Sequence, residues 1–482
     1  MRALLAILAV VLAGPPSSGA AERRSSLQRA LDAVVDAPRL AHAWWGVEVR
    51  SLRTGKVLYA RNAERDLKPA STLKLVTTAA ALDAFGPDAT LRTTVETAGR
   101  LDGLGRILGD VYLVGRGDPD LSGRFAEGRP TAIFEEMAEA LRQAGVRRIE
   151  GRLIGHEGLF PGERRGDDWT WGDLVWGYGA EVSALSFNDN VATLTVAPGE
   201  REGDPILVDR VPASAYYRVL STAVTGRRGG PRELTLRRDL GTNVMRLSGA
   251  IAAGSEPQDL NVAIEDPARY AATVLAETLA TKGILVSGGV ETAVQPLPVD
   301  VRVLAAHESP RLAQIVKIVN KESQNLHTEM LLRLVGAKMK GEGTVEAGHA
   351  ALEDFLRRLG VSPEGWALQD ASGLSRSDLI TAHGMAGLLA GMDRHRYAAS
   401  FRDSLPIAGV DGTLGSRMQQ PPARGNVVAK TGTIRHVNAL GGYVTARSGE
   451  RFVFYAAVNH HPGPASDSVA ALDAIATLLA QQ

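Results

Sequence analysis

Ser71 and Lys74 stand three residues apart in Ser71-Thr72-Leu73-Lys74. On a helix that spacing puts both side chains on one face, one turn apart, so an amine can reach a hydroxyl. A serine hydroxyl becomes a nucleophile only when a nearby base takes its proton. A buried lysine is such a base once desolvation and a second cation lower its pKa. A helix starting at Ser71 would also present free N–H groups to a developing oxyanion. The pair alone proves little, because a bare Ser-x-x-Lys occurs about once by chance in a chain this long.

Two further short runs carry complementary chemistry. Ser323-Gln324-Asn325 offers a hydroxyl and a carboxamide that can relay a proton and hold a substrate amide. Lys430-Thr431-Gly432-Thr433 offers an ammonium and hydroxyls for a carboxylate. Gly432 removes side-chain bulk, so that a substrate backbone can approach the strand. Each is ordinary by itself: Ser and Asn are common helix caps, and a strand end often shows a lysine.

The elements that must position these residues come from both ends of the chain. Gly46–Ser51 and Lys56–Arg61 alternate apolar and polar residues around Arg53-Thr54-Gly55, which predicts a β-hairpin. A helix is expected from Ser71, with Leu75, Ala79, Leu82 and Phe85 as its buried stripe and Gly86-Pro87 as its stop. Ser323-Gln324-Asn325 lies between the apolar-periodic segments Leu312–Val319 and Leu326–Val335. Strands are predicted at Asn426–Lys430, Ala439–Thr445 and Arg451–Val458, and a packed terminal helix over Ser468–Gln482. One sheet assembled from both chain ends and covered by helices is the economical arrangement.

The middle, from about Leu91 to about Pro298, has a different texture. Short strand-like runs (Arg106–Val114, Arg148–Gly155, Ala192–Val196, Glu233–Arg238, Val244–Ala252) are separated by Gly, Pro and Asp. Helical patterns appear at Thr131–Ala144 and at Asp266–Lys282, where Asp266 is placed to N-cap and Pro267 to sit in the first turn. A β-rich insertion between two halves of an α/β domain explains the change.

Composition removes several function classes. Lys plus Arg number 54 and Asp plus Glu 54, so nothing suggests electrostatic capture of nucleic acid or an anionic membrane. The absence of Cys excludes disulfides, thiolate zinc sites and a cysteine nucleophile. His460-His461 and His327-Thr328-Glu329 have no partner cluster at metal-site spacing, so no metal is expected and His327 is read as packing on its helix. Arg116-Gly117-Asp118 and Arg165-Gly166-Asp167 spell an adhesion tripeptide, and the first reads as a turn before Pro119. Arg2, the apolar run Leu4–Ala13, Gly14-Pro15-Pro16 and the small residues Ser18 to Ala21 read as a cleaved export signal over residues 1–21. No later stretch is apolar enough to span a bilayer, so a soluble exported protein, periplasmic in the cell envelope, is expected.

Taken together and in this order, the three runs resemble the Ser-x-x-Lys, Ser-x-Asn and Lys-Thr-Gly set of penicillin-binding proteins and serine β-lactamases. The interval from Ser71 to Ser323 is more than twice that from Ser323 to Lys430, whereas compact β-lactamases have a far shorter first interval. A long β-rich insertion there resembles the class C low-molecular-mass penicillin-binding proteins, the D-alanyl-D-alanine carboxypeptidase/endopeptidase family. Lys68-Pro69-Ala70-Ser71, Gly117-Asp118-Pro119-Asp120, Ser186-Phe187-Asn188-Asp189-Asn190 and Asp370-Ala371-Ser372-Gly373-Leu374-Ser375-Arg376 are similar to the same family.

The resemblance implies an α/β (α+β) penicillin-recognising, β-lactamase-like catalytic domain, split in sequence over 22–91 and 299–482. It implies a nested insert domain over 92–190 and 258–298 and another over 191–257. It implies hydrolysis of peptidoglycan stem peptides without a cofactor, and covalent inhibition by β-lactam antibiotics. Ser71 would be the acylated nucleophile, Lys74 its base and Ser323 the proton relay. Asn325, Lys430, Thr431 and Thr433 would bind substrate, with the last three on its terminal carboxylate. Asp173 and Tyr178 would meet the amino end of the diaminopimelate side chain, with a structural loop and a capping Asp as the alternative for that segment, and Leu374 and Arg376 would also bind substrate. Gln324 fills a slot that is often acidic, and the bulky Arg435-His436 pair follows the third motif. Alternatives are a mainly crosslink-cleaving D,D-endopeptidase, a β-lactamase, and a non-catalytic cell-wall-binding or adhesion module.

Overall fold

A computed structural model describes residues 25–482; the expected export signal lies outside the described residues. The central sheet has five strands: β1 (Trp44–Ser51), β2 (Val57–Arg61), β3 (Val427–Ile434), β4 (Val437–Thr445) and β5 (Arg451–Asn459). Their order across the sheet is β2-β1-β5-β4-β3, so the two chain ends meet at the β1–β5 seam, where Trp44 to Ser51 run antiparallel to Asn459 to Phe452. Both faces of this sheet are covered, which explains why β5 reads as an unbroken apolar run. Phe452, Phe454, Ala456 and Val458 pack on one side with Leu31, Val35, Leu472 and Ile475, from helices α1 (Ser26–Val35) and α7 (Ala465–Ala480). Val453, Tyr455 and Ala457 alternate onto the other side. There they join α2 (Lys74–Phe85), α3 (Leu312–Lys321), α4 (Asn325–Lys340), α5 (Val345–Arg358) and α6 (Ala382–Asp393).

Local starts differ from the sequence expectation in three places. Ser71 lies in a 3₁₀ turn, Ala70–Leu73, and the α-helix proper begins three residues after it, at Lys74. The tighter turn forms because Thr72 donates its hydroxyl to the Pro69 carbonyl at 2.7 Å. The third motif lies inside β3, which runs on to a tight hairpin at Arg435-His436. Asp266 does not cap its helix: it adopts a left-handed conformation, and its carboxylate pairs instead with Arg269 and Arg164.

Between the two parts of the chain that build this sheet, further sheets form around a separate apolar cluster that includes Val95, Leu113, Leu185, Leu194, Met245 and Tyr270. Three of the predicted strands break in two. Arg106–Leu108 and Val111–Val114 belong to different sheets, as do Arg148–Ile149 and Leu153–His156, and Val244–Ser248 and Ala250–Ala252. The chain crosses from sheet to sheet at Gly109-Asp110 and at Gly249. Where the insertion leaves and rejoins the catalytic body, Arg92–Thr97 pairs antiparallel with Arg302–Glu308. The Arg116-Gly117-Asp118 tripeptide is no exposed adhesion loop, since Asp118 is buried and Arg116 is paired with Glu96.

Leu440 on β4 is fully buried between the sheet and the α1/α7 layer. Leu440→Ala is expected to cost about 2–5 kcal/mol, through lost apolar burial plus the cavity left behind. Urea unfolding of the two proteins measures it.

Candidate active site

Three chain segments deliver oxygen atoms to the amine of Lys74. Lys74 Nζ lies 3.0 Å from Ser71 Oγ, 2.6 Å from Asn325 Oδ1 and 2.7 Å from the Ser372 carbonyl. Its side chain is fully buried, and burial lowers its pKa to about 7, although the nearby carboxylates of Asp370, Glu329 and Asp378 pull it upward. An amine in that state is neutral in a large fraction of molecules near neutral pH. It can therefore accept the Ser71 proton across a hydrogen bond that already exists. Lys430 forms the second cation. Its Nζ donates to Ser323 Oγ at 2.9 Å and to the Thr431 carbonyl at 2.8 Å. Burial first, and then the charge on Lys74, push its pKa well below the ordinary lysine value. The second-cation effect expected from the sequence thus falls on Lys430, while desolvation is what lowers Lys74.

The turn carrying Ser71 is fixed on all sides. Lys68 N–H donates to Asn459 Oδ1 at 2.8 Å, and Thr72 Oγ1 lies 2.8 Å from the hydroxyl of Tyr455. Strand β3 presses against the same turn at Gly432, where an added Cβ would stand 2.7 Å from the Pro69 carbonyl oxygen. The missing side chain of Gly432 is therefore needed by the Ser71 turn. Loop 370–376 closes from the other side: Gly373 has φ +77°, and a Cβ there would collide with the Ala70 carbonyl oxygen at 1.9 Å.

Thr431 and Thr433 extend the Lys430 group along β3. Thr431 Oγ1 shares a 2.8 Å hydrogen bond with Thr413, and the exposed Thr433 accepts at 2.9 Å from Asn438. A third group gathers on the insertion. Asp173 accepts from the Thr170 N–H at 2.9 Å, the Thr170 hydroxyl at 2.6 Å, Arg376 at 3.2 Å and the Tyr178 hydroxyl at 3.4 Å. Asn325 Nδ2 donates to the Tyr178 carbonyl at 2.8 Å, which ties this group to the Lys74 cluster. Leu374 is buried in the loop beside it. Arg435 is exposed in the β3–β4 turn, while Arg376 is the cation that engages Asp173.

Several residues that build the site carried no motif. Glu329 is buried one helical turn beyond Asn325, and its Oε1 accepts the N–H groups of Ala371 and Ser372, both at 3.0 Å. That contact sets the carbonyl of Ser372 that holds Lys74. Burial, and then the charge of Asp370, raise the Glu329 pKa to about 7. Asp370 anchors the same loop by accepting from Gly373 N–H at 2.7 Å and Ser375 N–H at 2.7 Å, and it takes the Trp169 indole N–H at 3.0 Å. A lone acid inside the apolar segment Leu326–Val335 was the available signal for Glu329. Thr413 offered none. His327 is buried on α4 as expected, with Asp189 of the insertion as its partner at 3.0 Å.

The sequence model of the D-Ala-D-Ala carboxypeptidase 3 (S13) family matches residues 27–482. The chain is 38% identical over 477 residues to a D-alanyl-D-alanine carboxypeptidase of Actinomadura sp. (strain R39), covering 96% of this chain and 86% of that one. The crystal structure of penicillin binding protein 4 from Haemophilus influenzae superposes with a TM-score of 0.82 at 24% identity, covering 94% of this chain and 99% of that chain. A structure of the same Haemophilus protein complexed with a β-lactam superposes with a TM-score of 0.75 at 22% identity, again over 94% and 99%. The two structural likenesses establish the penicillin-recognising fold.

Lys74 has a consequence for stability. Folded Lys74 gives up its proton near pH 7, whereas an unfolded lysine holds it to about 10.5. Between those values the unfolded chain binds more protons, so this residue's contribution to stability rises with pH. The unfolding free energy of the wild type relative to Lys74→Met is expected to climb from about pH 7 to about pH 10. A flat or falling difference in urea titrations would return Lys74 to the usual lysine range.

Proposed function

The chain belongs to the D-Ala-D-Ala carboxypeptidase 3 (S13) family, and from that membership we propose that it is a serine D-alanyl-D-alanine carboxypeptidase/endopeptidase acting on peptidoglycan stem peptides. The observation that carries this reading is the buried Lys74 amine, held 3.0 Å from Ser71 Oγ with its pKa lowered to about 7. Lys74 takes the Ser71 proton as Oγ attacks the carbonyl of the penultimate D-alanine. The N–H groups of Ser71 and Thr433 receive the oxyanion, each such donor contributing about 3–4 kcal/mol in comparable enzymes. Ser323, hydrogen-bonded to Lys430, passes the proton that left Ser71 on to the departing nitrogen as the C–N bond breaks, so that Lys74 is neutral again and Ser323 keeps its hydroxyl, and water then hydrolyses the acyl-enzyme. Lys430, Thr431 and Thr433 hold the terminal carboxylate, and Asn325 holds the substrate amide. A β-lactam would acylate Ser71 by the same attack and stay bound.

Cleavage of the crosslink between two stem peptides uses the same chemistry. A cavity of about 550 Å3 adjoins the site, running from Ser323 and Asn325 past Tyr178 to Asp259. The two nested insert domains belong to this reading as well; the insertion has an apolar cluster of its own, which runs through both of them, from Val95 and Leu113 to Leu194 and Met245. Export to the periplasm belongs to it as well; no helix among the described residues is long and apolar enough to cross a membrane.

Benzylpenicillin is expected to add covalently to Ser71, detected by mass spectrometry of the intact protein and of its peptides. Ser71→Ala should abolish the adduct while the protein stays folded. An adduct on another residue, or none on folded wild type, removes the mechanism.

Asp173 and Tyr178 are assigned to the substrate's diaminopimelate side chain, whose ammonium suits a buried carboxylate beside an aromatic ring, and Leu374 and Arg376 to substrate binding next to them. Asp173→Asn should lower kcat/KM about ten- to a hundredfold on a peptide with a free side-chain amine and leave its acetylated counterpart unchanged. Equal rates of mutant and wild type on both peptides would leave Asp173 as loop scaffold.

A further inference from the structure

Ser323 has φ +63°, a left-handed backbone that a serine rarely adopts. Facing it across the interface, Asn188, Asp189 and Asn190 of the insertion have φ of 51°, 53° and 54°. Asn and Asp tolerate that region, but at a serine it persists only where surrounding contacts impose it. Gln324 links the two segments, and both ends of its side chain are used. Its Oε1 accepts from Leu326 N–H at 3.0 Å, capping α4, and its Nε2 donates to Asp189 Oδ2 at 3.1 Å.

Asp189 is itself fully engaged. Arg124 approaches its two oxygens at 3.3 and 3.1 Å, and His327 Nε2 lies 3.0 Å from Oδ1. Burial alone would raise its carboxyl, but His327 and Arg124 hold it below the usual carboxylate range. The remaining charged neighbours, Glu322 and Asp120, pair with Arg124. The left-handed run is locked behind Asp189: Asn190 Nδ2 donates to the Glu181 carbonyl at 2.8 Å and to Ser186 Oγ at 3.0 Å, and Asn188 Nδ2 to the Val191 carbonyl at 3.0 Å.

We infer that Gln324 and Asp189 are a positioning pair through which the insertion holds Ser323 in its left-handed conformation, with its hydroxyl on Lys430. The inference rests on the proposed role of Ser323 as proton relay. It makes the insertion part of the catalytic apparatus through a contact separate from the Asp173 loop. Gln324 is an amide here because its partner is an ionised carboxylate. A carboxylate at 324 would repel Asp189 unless one of the two held a proton.

That requirement supplies the test. Gln324→Glu keeps an oxygen for the α4 cap but places a second acid on Asp189. Its kcat on a D-alanyl-D-alanine peptide, taken as a ratio to wild type at each pH, is expected to fall about tenfold or more at about pH 8. KM should stay within about twofold, and the ratio should recover toward about pH 5.5 as the pair takes up a proton. Combining it with Asp189→Asn restores a donor–acceptor pair and is expected to return the kcat ratio most of the way, without the pH dependence. Melting temperatures of all variants report folding separately. A Gln324→Glu ratio near one at every pH, or a double variant no better than Gln324→Glu alone, overturns the inference. Failure of wild-type Ser71 to react with benzylpenicillin would instead overturn the functional reading beneath it.

Discussion

Two lysine amines, Lys74 and Lys430, are buried in one site, and most of the architecture follows from that constraint. A buried ammonium is costly unless its protons are met, yet a carboxylate in direct contact would hold the proton and abolish the base. The structure meets Lys74 with neutral oxygens only: a hydroxyl from Ser71, an amide from Asn325 and a carbonyl from Ser372. The carboxylates of Glu329 and Asp370 stand behind, committed to backbone N–H groups of loop 370–376. They temper the desolvation of Lys74 through space without bonding to it. The three oxygens come from distant parts of the chain, so the base exists only in the assembled fold.

This explains why the sheet is built from both chain ends. Ser71 lies just beyond the hairpin β1–β2, Lys430 lies in β3, and the seam between β1 and β5 brings the two regions into one layer. A long excursion between them is tolerated because loop-closure entropy grows only slowly with length. The antiparallel pairing of Arg92–Thr97 with Arg302–Glu308 closes that excursion at its root. The inserted segment then returns to the site at separate points: Trp169 on Asp370, Asp173 on Arg376, the Tyr178 carbonyl on Asn325, and Asp189 on Gln324.

What could be read in the sequence was local or periodic. The hairpin, the apolar strands β4 and β5, and the terminal helix announced themselves because alternation and helical spacing reflect burial directly. The three motifs were legible because each packs its chemistry into three or four residues. The sheet changes at Gly109-Asp110 and Gly249 were hidden, since one alternating pattern serves either sheet. The packing demand on Gly432 was hidden because it comes from the Pro69 carbonyl, far away in sequence. Glu329 and Thr413 likewise act through contacts that only the tertiary structure creates.

Backbone strain follows the same division. Ala70, immediately before Ser71, has φ +47°, and Ser323 has φ +63°. Neither residue type favours that region, so neither conformation is selected by local sequence. Ala70 is pinned between loop 370–376 and β3, where Gly373 and Gly432 leave room for it. Ser323 is pinned between Lys430 and the Gln324–Asp189 contact. Ser71 and Ser323 are thus both aimed by neighbours that arrive only with folding. A stray Ser-x-x-Lys elsewhere lacks those neighbours and is inert: its serine stays relaxed and its lysine stays solvated and protonated.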